Sequence, residues 1–168
     1  MADEREFVLR GFDRSLPMVL LRSRESAMGL FRPLLGENSL TEQQWRVLRA
    51  LASSPAPMDA GELADTTCLL APSLSRILVA LERRSLITRE TPEHDRRRSI
   101  ISLSEPGREV VADIAPHSEM IYEQLEDEFG AERLEALISE LDALTEIGSS
   151  VAGRTTRSRP TPEPSPLD

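Results

Sequence analysis

The stretch "PEHDRRRS", residues 92 to 99, sets an imidazole, two carboxylates and three guanidiniums side by side. Three successive arginines, Arg96, Arg97 and Arg98, suit phosphate oxygens and the negative potential of a narrow DNA minor groove. Asp95 stands where a carboxylate–guanidinium pair would orient Arg97. His94 carries charge only at mildly acidic pH, and solvent exposure is its ordinary fate. A second set lies upstream in "SLSRILVALERR": Ser73, Ser75, Arg76 and Arg83. Serine hydroxyls bond phosphate or either base type, and an arginine can grip guanine O6 and N7 with two bonds. The plain alternative is a solvated polar face, which most surface helices have.

Both sets can reach one duplex only if the first sits on a projecting loop and the second on a helix. Leu74, Ile77, Leu78 and Leu81 recur at helical spacing with Pro72 near the first turn. This puts Pro72, Arg76, Val79 and Arg83 on the opposite face and Ser73 and Ser75 at its flanks. Ahead of them Asp59 caps a short helical piece, "AGELADTT", so two short helices joined by a few residues form a helix-turn-helix candidate. After Ser85 the period changes: "LITRE" and "RSIISLS" are rich in β-branched residues around the polar turn "TPEHDRR", which predicts a projecting hairpin.

Helical patterns flank this module. Leu16, Leu20, Leu30, Phe31 and Leu34 mark a helix capped by Asp13 or Ser15 and ended by Gly36 and Asn38. Thr41 or Ser39 opens a second, with Gln44, Val47, Leu48 and Leu51 on one face. Ser104 caps another through Val110, Val111, Ile114, Ile121 and Leu125, which Pro116 should bend. Gly130 separates it from a last helix bearing Leu134, Leu137, Ile138, Leu141, Leu144 and Ile147. The expected fold is mainly α with a small β-hairpin wing: a winged helix-turn-helix over 40–104 between helices at 13–36 and 104–148. Residues 1–148 would form a single domain, and the proline-rich segment 149–168 is expected to be disordered.

At 168 residues, with 39% hydrophobic and 29% charged, the chain has the composition of a soluble globular domain. No apolar run approaches the ~18 residues needed to span a bilayer. The acidic start "MADEREFVLR" lacks the layout of a secretion signal, so a cytoplasmic location without a membrane partner is expected, with the nucleoid when DNA is bound. The formal charge of -9 is uneven: residues 109–148 hold twelve acids against Arg133 alone, whereas Pro72 to Ser104 hold seven arginines and four acids. That local excess permits a nucleic-acid face within an acidic chain. The lone Cys68 excludes an intrachain disulfide and a multi-cysteine zinc site. Two distant histidines and no glycine-rich phosphate loop leave no catalytic set, so no enzyme activity, metal or cofactor is expected.

The order of elements together with "DRRRSIISLSEPG" resembles the MarR family of dimeric bacterial transcription regulators. That family's pattern is an Asp, an Arg two residues later, a hydrophobic strand, Leu followed by Thr or Ser, and a Gly three residues beyond the hydroxyl. Asp95, Arg97, Ile100, Ile101, Leu103, Ser104 and Gly107 match it. The resemblance spans roughly residues 12 to 148. Within it, "SLPMVLLRSRESAM", "LTEQQWRVLRAL" and "CLLAPSLSRIL" are similar to the subgroup that represses homoprotocatechuate (4-hydroxyphenylacetate) degradation operons. The resemblance implies a homodimer held by the first and last two helices, with two recognition helices and two wings on a pseudo-palindromic operator. The terminal helices' apolar stripes, too wide for a small monomer's core, point to the same assembly.

It also implies an effector, a small aromatic carboxylic acid such as homoprotocatechuate or 4-hydroxyphenylacetate, held between the dimerisation helices and the DNA-binding module. The chain offers Arg14, Ser15 and Arg22 on the first helix, Trp45, Arg46 and Arg49 on the second, and His117 beside Pro116. An arginine would pair with the carboxylate, Trp45 stack on the ring, and Ser15 or His117 bond a phenol. Each has a structural alternative. Tryptophan is more often a core residue than a platform, Arg22 fits an outer helix face, and His117 falls on the stripe through Val110, Ile114 and Ile121. Cys68, in an apolar context, is expected to be a buried small residue. Two other readings stay open: a winged-helix protein-interaction module, and a redox-responsive regulator using Cys68.

Overall fold

The computed structural model describes residues 10–91 and 98–157, the stretch 149–157 as backbone only. A 3₁₀ turn at Phe12–Arg14 leads into α1 (Leu16–Glu37), then α2 (Glu42–Ser53), β1 (Met58–Asp59), α3 (Ala60–Thr67) and α4 (Ala71–Arg83). The hairpin strands β2 (Ile87–Glu90) and β3 (Ile100–Leu103) follow, then α5 (Glu105–Phe129) and α6 (Ala131–Arg157). This is the expected mainly helical winged arrangement. The three strands run antiparallel in the order β1-β3-β2, with Ile87 opposite Leu103, Glu90 opposite Ile100 and Met58 opposite Ile101. Among the described residues no single helix is long and apolar enough to cross a membrane.

The chain divides into two compact units, residues 1–121 and 122–168. In the first, one core gathers Leu35 of α1, Trp45, Val47, Leu48 and Leu51 of α2, Leu63 of α3, and Leu74, Ile77, Leu78 and Leu81 of α4. Leu86, Ile87, Ile101 and Leu103 close it from the sheet and Ile114 from α5. Burying such side chains contributes about 1.5–3 kcal/mol apiece, which is why Leu74, Ile77, Leu78 and Leu81 at helical spacing fix the rotation of α4. Trp45 is a core residue, 6% exposed.

Three helices end in the same way. Ser39, Cys68 and Ser85 take the left-handed conformation, at φ of 54°, 50° and 59°. The next residue's N–H then bonds five residues back: Leu40 to Leu35, Leu69 to Ala64, Leu86 to Leu81, each at 2.9–3.0 Å. Leu40 and Leu86 drop into the core directly after the turn. Helix starts are equally specified: Thr41 and Gln44 form a reciprocal capping box on α2, and Asp59 and Glu62 another on α3. At α1 Ser15 holds the N-cap position without a side-chain cap bond, its Oγ donating instead to the Phe12 carbonyl at 2.8 Å.

A charged quartet ties α1 to the start of α2. Arg24 and Arg32 each bond both Glu25 and Glu42. Burial pushes the Glu42 carboxyl up, but Arg32 and Arg24 together outweigh it and hold it below the usual range. Glu25, then Glu42, raises Arg32.

In the second unit α5 ends at Gly130, whose φ of 93° breaks the helix, and the Arg133 guanidinium lies 4.4 Å over the Phe129 ring. Leu137, Ile138 and Leu141 form an exposed apolar stripe on α6. That helix continues to Arg157, past the expected boundary at 148. Gly148 and Gly153 weaken a helix without ending it, and the first proline of the tail is Pro160. Residues 158–168 lie outside the described residues.

Candidate nucleic-acid interface and ligand pocket

The axes of α3 and α4 turn through 107°, within the range of helix-turn-helix pairs. Because Leu74, Ile77, Leu78 and Leu81 are buried, Pro72, Ser75, Arg76, Val79 and Arg83 face solvent together, with Ser73 half-buried. Arg76 Nε makes only a long bond, 3.4 Å, to the Pro72 carbonyl, and its terminal nitrogens have no partner among the described residues. Arg83 closes the last turn, where its charge complements the helix dipole. The first turns of α4 thus present hydroxyls and one guanidinium to solvent, and the helix's acid, Glu82, lies in its last turn.

Of the wing residues, Asp95, Arg96 and Arg97 lie outside the described residues, as does His94. Arg98 is described, and its Nη2 donates to Asp59 Oδ2 at 2.5 Å. Asp59 is also the cap of α3, its Oδ1 accepting from the N–H groups of Gly61 and Glu62 at 2.9 Å each. The Glu62 N–H and then Arg98 hold the Asp59 carboxyl below its usual range. On the other strand Arg89 donates from Nε to Ser99 Oγ at 3.2 Å and lies 3.7 Å from Glu82 of α4. The sequence flagged neither Asp59 nor Arg89 for this role, because both partnerships join residues distant along the chain.

Cys68 corrects an expectation. It is exposed, since it closes α3 in the left-handed conformation and its side chain points away from the core that Thr67 enters.

The expected ligand residues fall into separate places. Arg14, Ser15 and Arg22 gather at the 3₁₀ turn, where Arg22 Nη2 donates to the Asp13 carbonyl at 2.5 Å. Arg46 points to the helix-turn-helix, its Nη1 donating to the Thr67 carbonyl at 3.0 Å. His117 is exposed on α5, with Nδ1 3.1 Å from the Asp113 carbonyl. Trp45 and Arg49 do line one recess, of about 130 Å³, with Ala52, Ser53, Val111, Ala115, Ser118 and the acid Glu119. Ser118, a buried hydroxyl, escaped sequence reading because it sits in a run of mixed polarity. A larger cleft of about 610 Å³, between residues 51–57, the sheet and Arg108, contains none of the expected ligand residues. The smaller recess joins an indole and a guanidinium in one place.

The MarR family model matches residues 38–98, from the turn before α2 to the root of β3. The homoprotocatechuate degradative operon repressor of Escherichia coli is 41% identical over 136 residues, 81% of this chain and 91% of its own length. The chain belongs to the MarR family. It is accordingly a DNA-binding transcription regulator and not an enzyme. Two crystal structures extend the likeness of this MarR chain to three dimensions. The transcriptional regulator PA4135 superposes with a TM-score of 0.75 at 38% identity, covering 79% of this chain and 97% of that one. NadR in complex with 4-hydroxyphenylacetate superposes at 0.72 and 33%, covering 84% and 99%.

Proposed function

We propose that the protein is a homodimeric repressor whose paired α4 helices and wings bind a pseudo-palindromic operator, released when a small aromatic carboxylic acid binds. The observation carrying this reading is the joint presence, in one winged-helix unit, of the exposed Ser75–Arg76–Arg83 face and the Trp45–Arg49 recess. Trp45 supplies an aromatic wall, Arg49 a partner for a carboxylate, and Ser118 a hydroxyl for a phenol. The homoprotocatechuate repressor and the 4-hydroxyphenylacetate complex of NadR support a phenolic acid of that size.

Dimerisation uses the helices at 13–36 and 104–148, which leave Leu16, Val19 and Leu30 of α1 and Leu137, Ile138 and Leu141 of α6 exposed. Residues 40–104 form the DNA-binding module of a single regulatory domain, 1–148. Such a protein works in the cytoplasm, on the nucleoid when DNA-bound.

Fluorescence anisotropy on the protein's own upstream DNA against scrambled DNA tests the reading. Specific binding reversed by homoprotocatechuate or 4-hydroxyphenylacetate is the expected result. Specific binding untouched by both would discard the effector, and binding without sequence preference would discard the repressor.

A further inference from the structure

The pairing of Arg98 with Asp59 changes what the third arginine of the wing can do. Arg98 is the first described residue after Thr91 and lies two residues before β3. Its partner is 39 residues away and is held by the backbone. Asp59 Oδ1 is committed to the N–H groups of Gly61 and Glu62, and the Asp59 N–H donates to Glu62 Oε2 at 2.8 Å. Asp59 also sits in β1, opposite Ile100 of β3. The carboxylate cannot turn away without uncapping α3, so Oδ2 is a fixed anchor for whatever binds it. Arg89 ties the other side of the hairpin root, spanning Ser99 of the wing and Glu82 of α4.

We propose that Arg98 is a wing-positioning residue and not a phosphate contact: paired with Asp59, it fixes the wing root to the first turn of α3, and so sets the offset between the hairpin and the helix-turn-helix on DNA. The proposal rests on the reading of residues 40–104 as the DNA-binding module. A guanidinium already neutralised by a fixed carboxylate offers little to a phosphate, and the carboxylate itself would repel one. Pinned near both helices of the helix-turn-helix, the wing root keeps a constant offset from α4, so both can engage one duplex at a single register.

The two roles differ in the sign of one measurement. Asp59→Asn keeps a capping side chain but removes the charge. If Arg98 bound phosphate, removing a nearby negative charge would leave affinity unchanged or raise it. If Arg98 positions the wing, Asp59→Asn must weaken binding although the protein has become less acidic. The experiment measures full-length wild type, Asp59→Asn, Arg98→Gln and the double variant by anisotropy across a salt series. The probe is a duplex that the wild type selects from a random pool. Each single change is expected to lower affinity roughly two- to fivefold, with the double variant no worse than either. The salt slope should stay near that of wild type, and hydroxyl-radical protection should fade in the flanking minor groove while persisting at the α4 contacts. Circular dichroism melting checks that Asp59→Asn remains folded. If it does not, the same sign test is read from Arg98→Gln, where an unchanged salt slope supports positioning.

Asp59→Asn binding as tightly as wild type or tighter, with Arg98→Gln lowering the salt slope by about one, would overturn the proposal. Failure to select any duplex would overturn the DNA-binding reading itself, and this inference with it.

Discussion

The α-carbon of Gly107 lies directly against the main chain of Leu86: a Cβ on residue 107 would stand 1.9 Å from the Leu86 carbonyl oxygen. That oxygen already accepts the Ser104 N–H at 3.2 Å, while Ser104 Oγ donates to the Ser85 carbonyl at 2.6 Å and accepts the Gly107 N–H at 3.0 Å. Ser104 and Gly107 together bolt the start of α5 onto the turn after α4, so the glycine is demanded by close approach and not by backbone conformation. Gly107→Ala should destabilise the fold by about 2–3 kcal/mol, as an overpacked site that only backbone movement relieves. Urea unfolding checks this; a midpoint equal to wild type would show that the junction yields freely.

A gain is expected on the other side of the same junction. Ser85 takes a φ of 59°, where an L side chain crowds its own backbone and glycine does not. Ser85→Gly keeps the carbonyl that Ser104 bonds and should raise stability by about 0.5–1 kcal/mol, after the greater chain entropy of glycine is deducted. The same comparison of unfolding midpoints reads it, and a drop would mean that the serine hydroxyl contributes a contact of its own.

These two positions mark where the sequence was legible. The Leu-Ser-x-x-Gly spacing and the leucine stripe of α4 are local patterns, so the hairpin, the capping of α5 and the exposed Ser75–Arg76 face could be read directly. Cys68 could not, because a left-handed helix end usually announces itself with glycine or asparagine. The strand β1 is two residues long, too short for a period, and exists through its pairing with Ile100 and Ile101. Arg46 and Arg98 illustrate the larger gap: residue type suggested ligand and DNA, yet their described partners, the Thr67 carbonyl and the Asp59 carboxylate, arise from folding.

The α1–α2 quartet gives stability a definite pH dependence. Glu42 has a native pKa below its ordinary value of 4.5, so the folded state binds its proton less readily than the unfolded chain. Its contribution is therefore complete above about pH 4.5 and is lost as pH falls through the lower native value. Glu42→Gln should unfold at lower urea than wild type at pH 7, and the difference should shrink to nothing as both are acidified. A difference that persisted in acid after Glu42 is protonated in the folded state would assign the loss to packing and not to charge.

On DNA, Arg76 and Arg97 should fail differently. Arg76 projects from the exposed face of α4, so Arg76→Ala is expected to reduce discrimination between operator and scrambled duplex by about 1–3 kcal/mol. Arg97, placed in the wing by the sequence pattern, should lower affinity with dimerisation unchanged on sedimentation, and reduce the salt slope by about one. An equal loss on operator and scrambled DNA would reassign Arg76 to phosphate, and an unaltered Arg97→Ala would remove the wing from the interface.

The last comparison separates two arginines three residues apart on α2. Arg49 lines the recess with Trp45, whereas Arg46 is directed to the Thr67 carbonyl at the end of α3. Arg49→Ala should weaken 4-hydroxyphenylacetate binding in calorimetry at least tenfold, the loss of a charge-assisted bond to a carboxylate. Arg46→Met should leave that affinity within about twofold, since its guanidinium meets no recess atom, but should lower stability by about 1 kcal/mol through the lost bond to a buried residue's carbonyl. Because that bond joins α2 to the turn entering α4, Arg46→Met should also reduce the factor by which the effector weakens DNA binding, and reciprocally the factor by which DNA weakens effector binding. Equal loss of effector affinity in both variants would place Arg46 in the ligand site after all. Unchanged linkage in Arg46→Met would confine that arginine to stability alone.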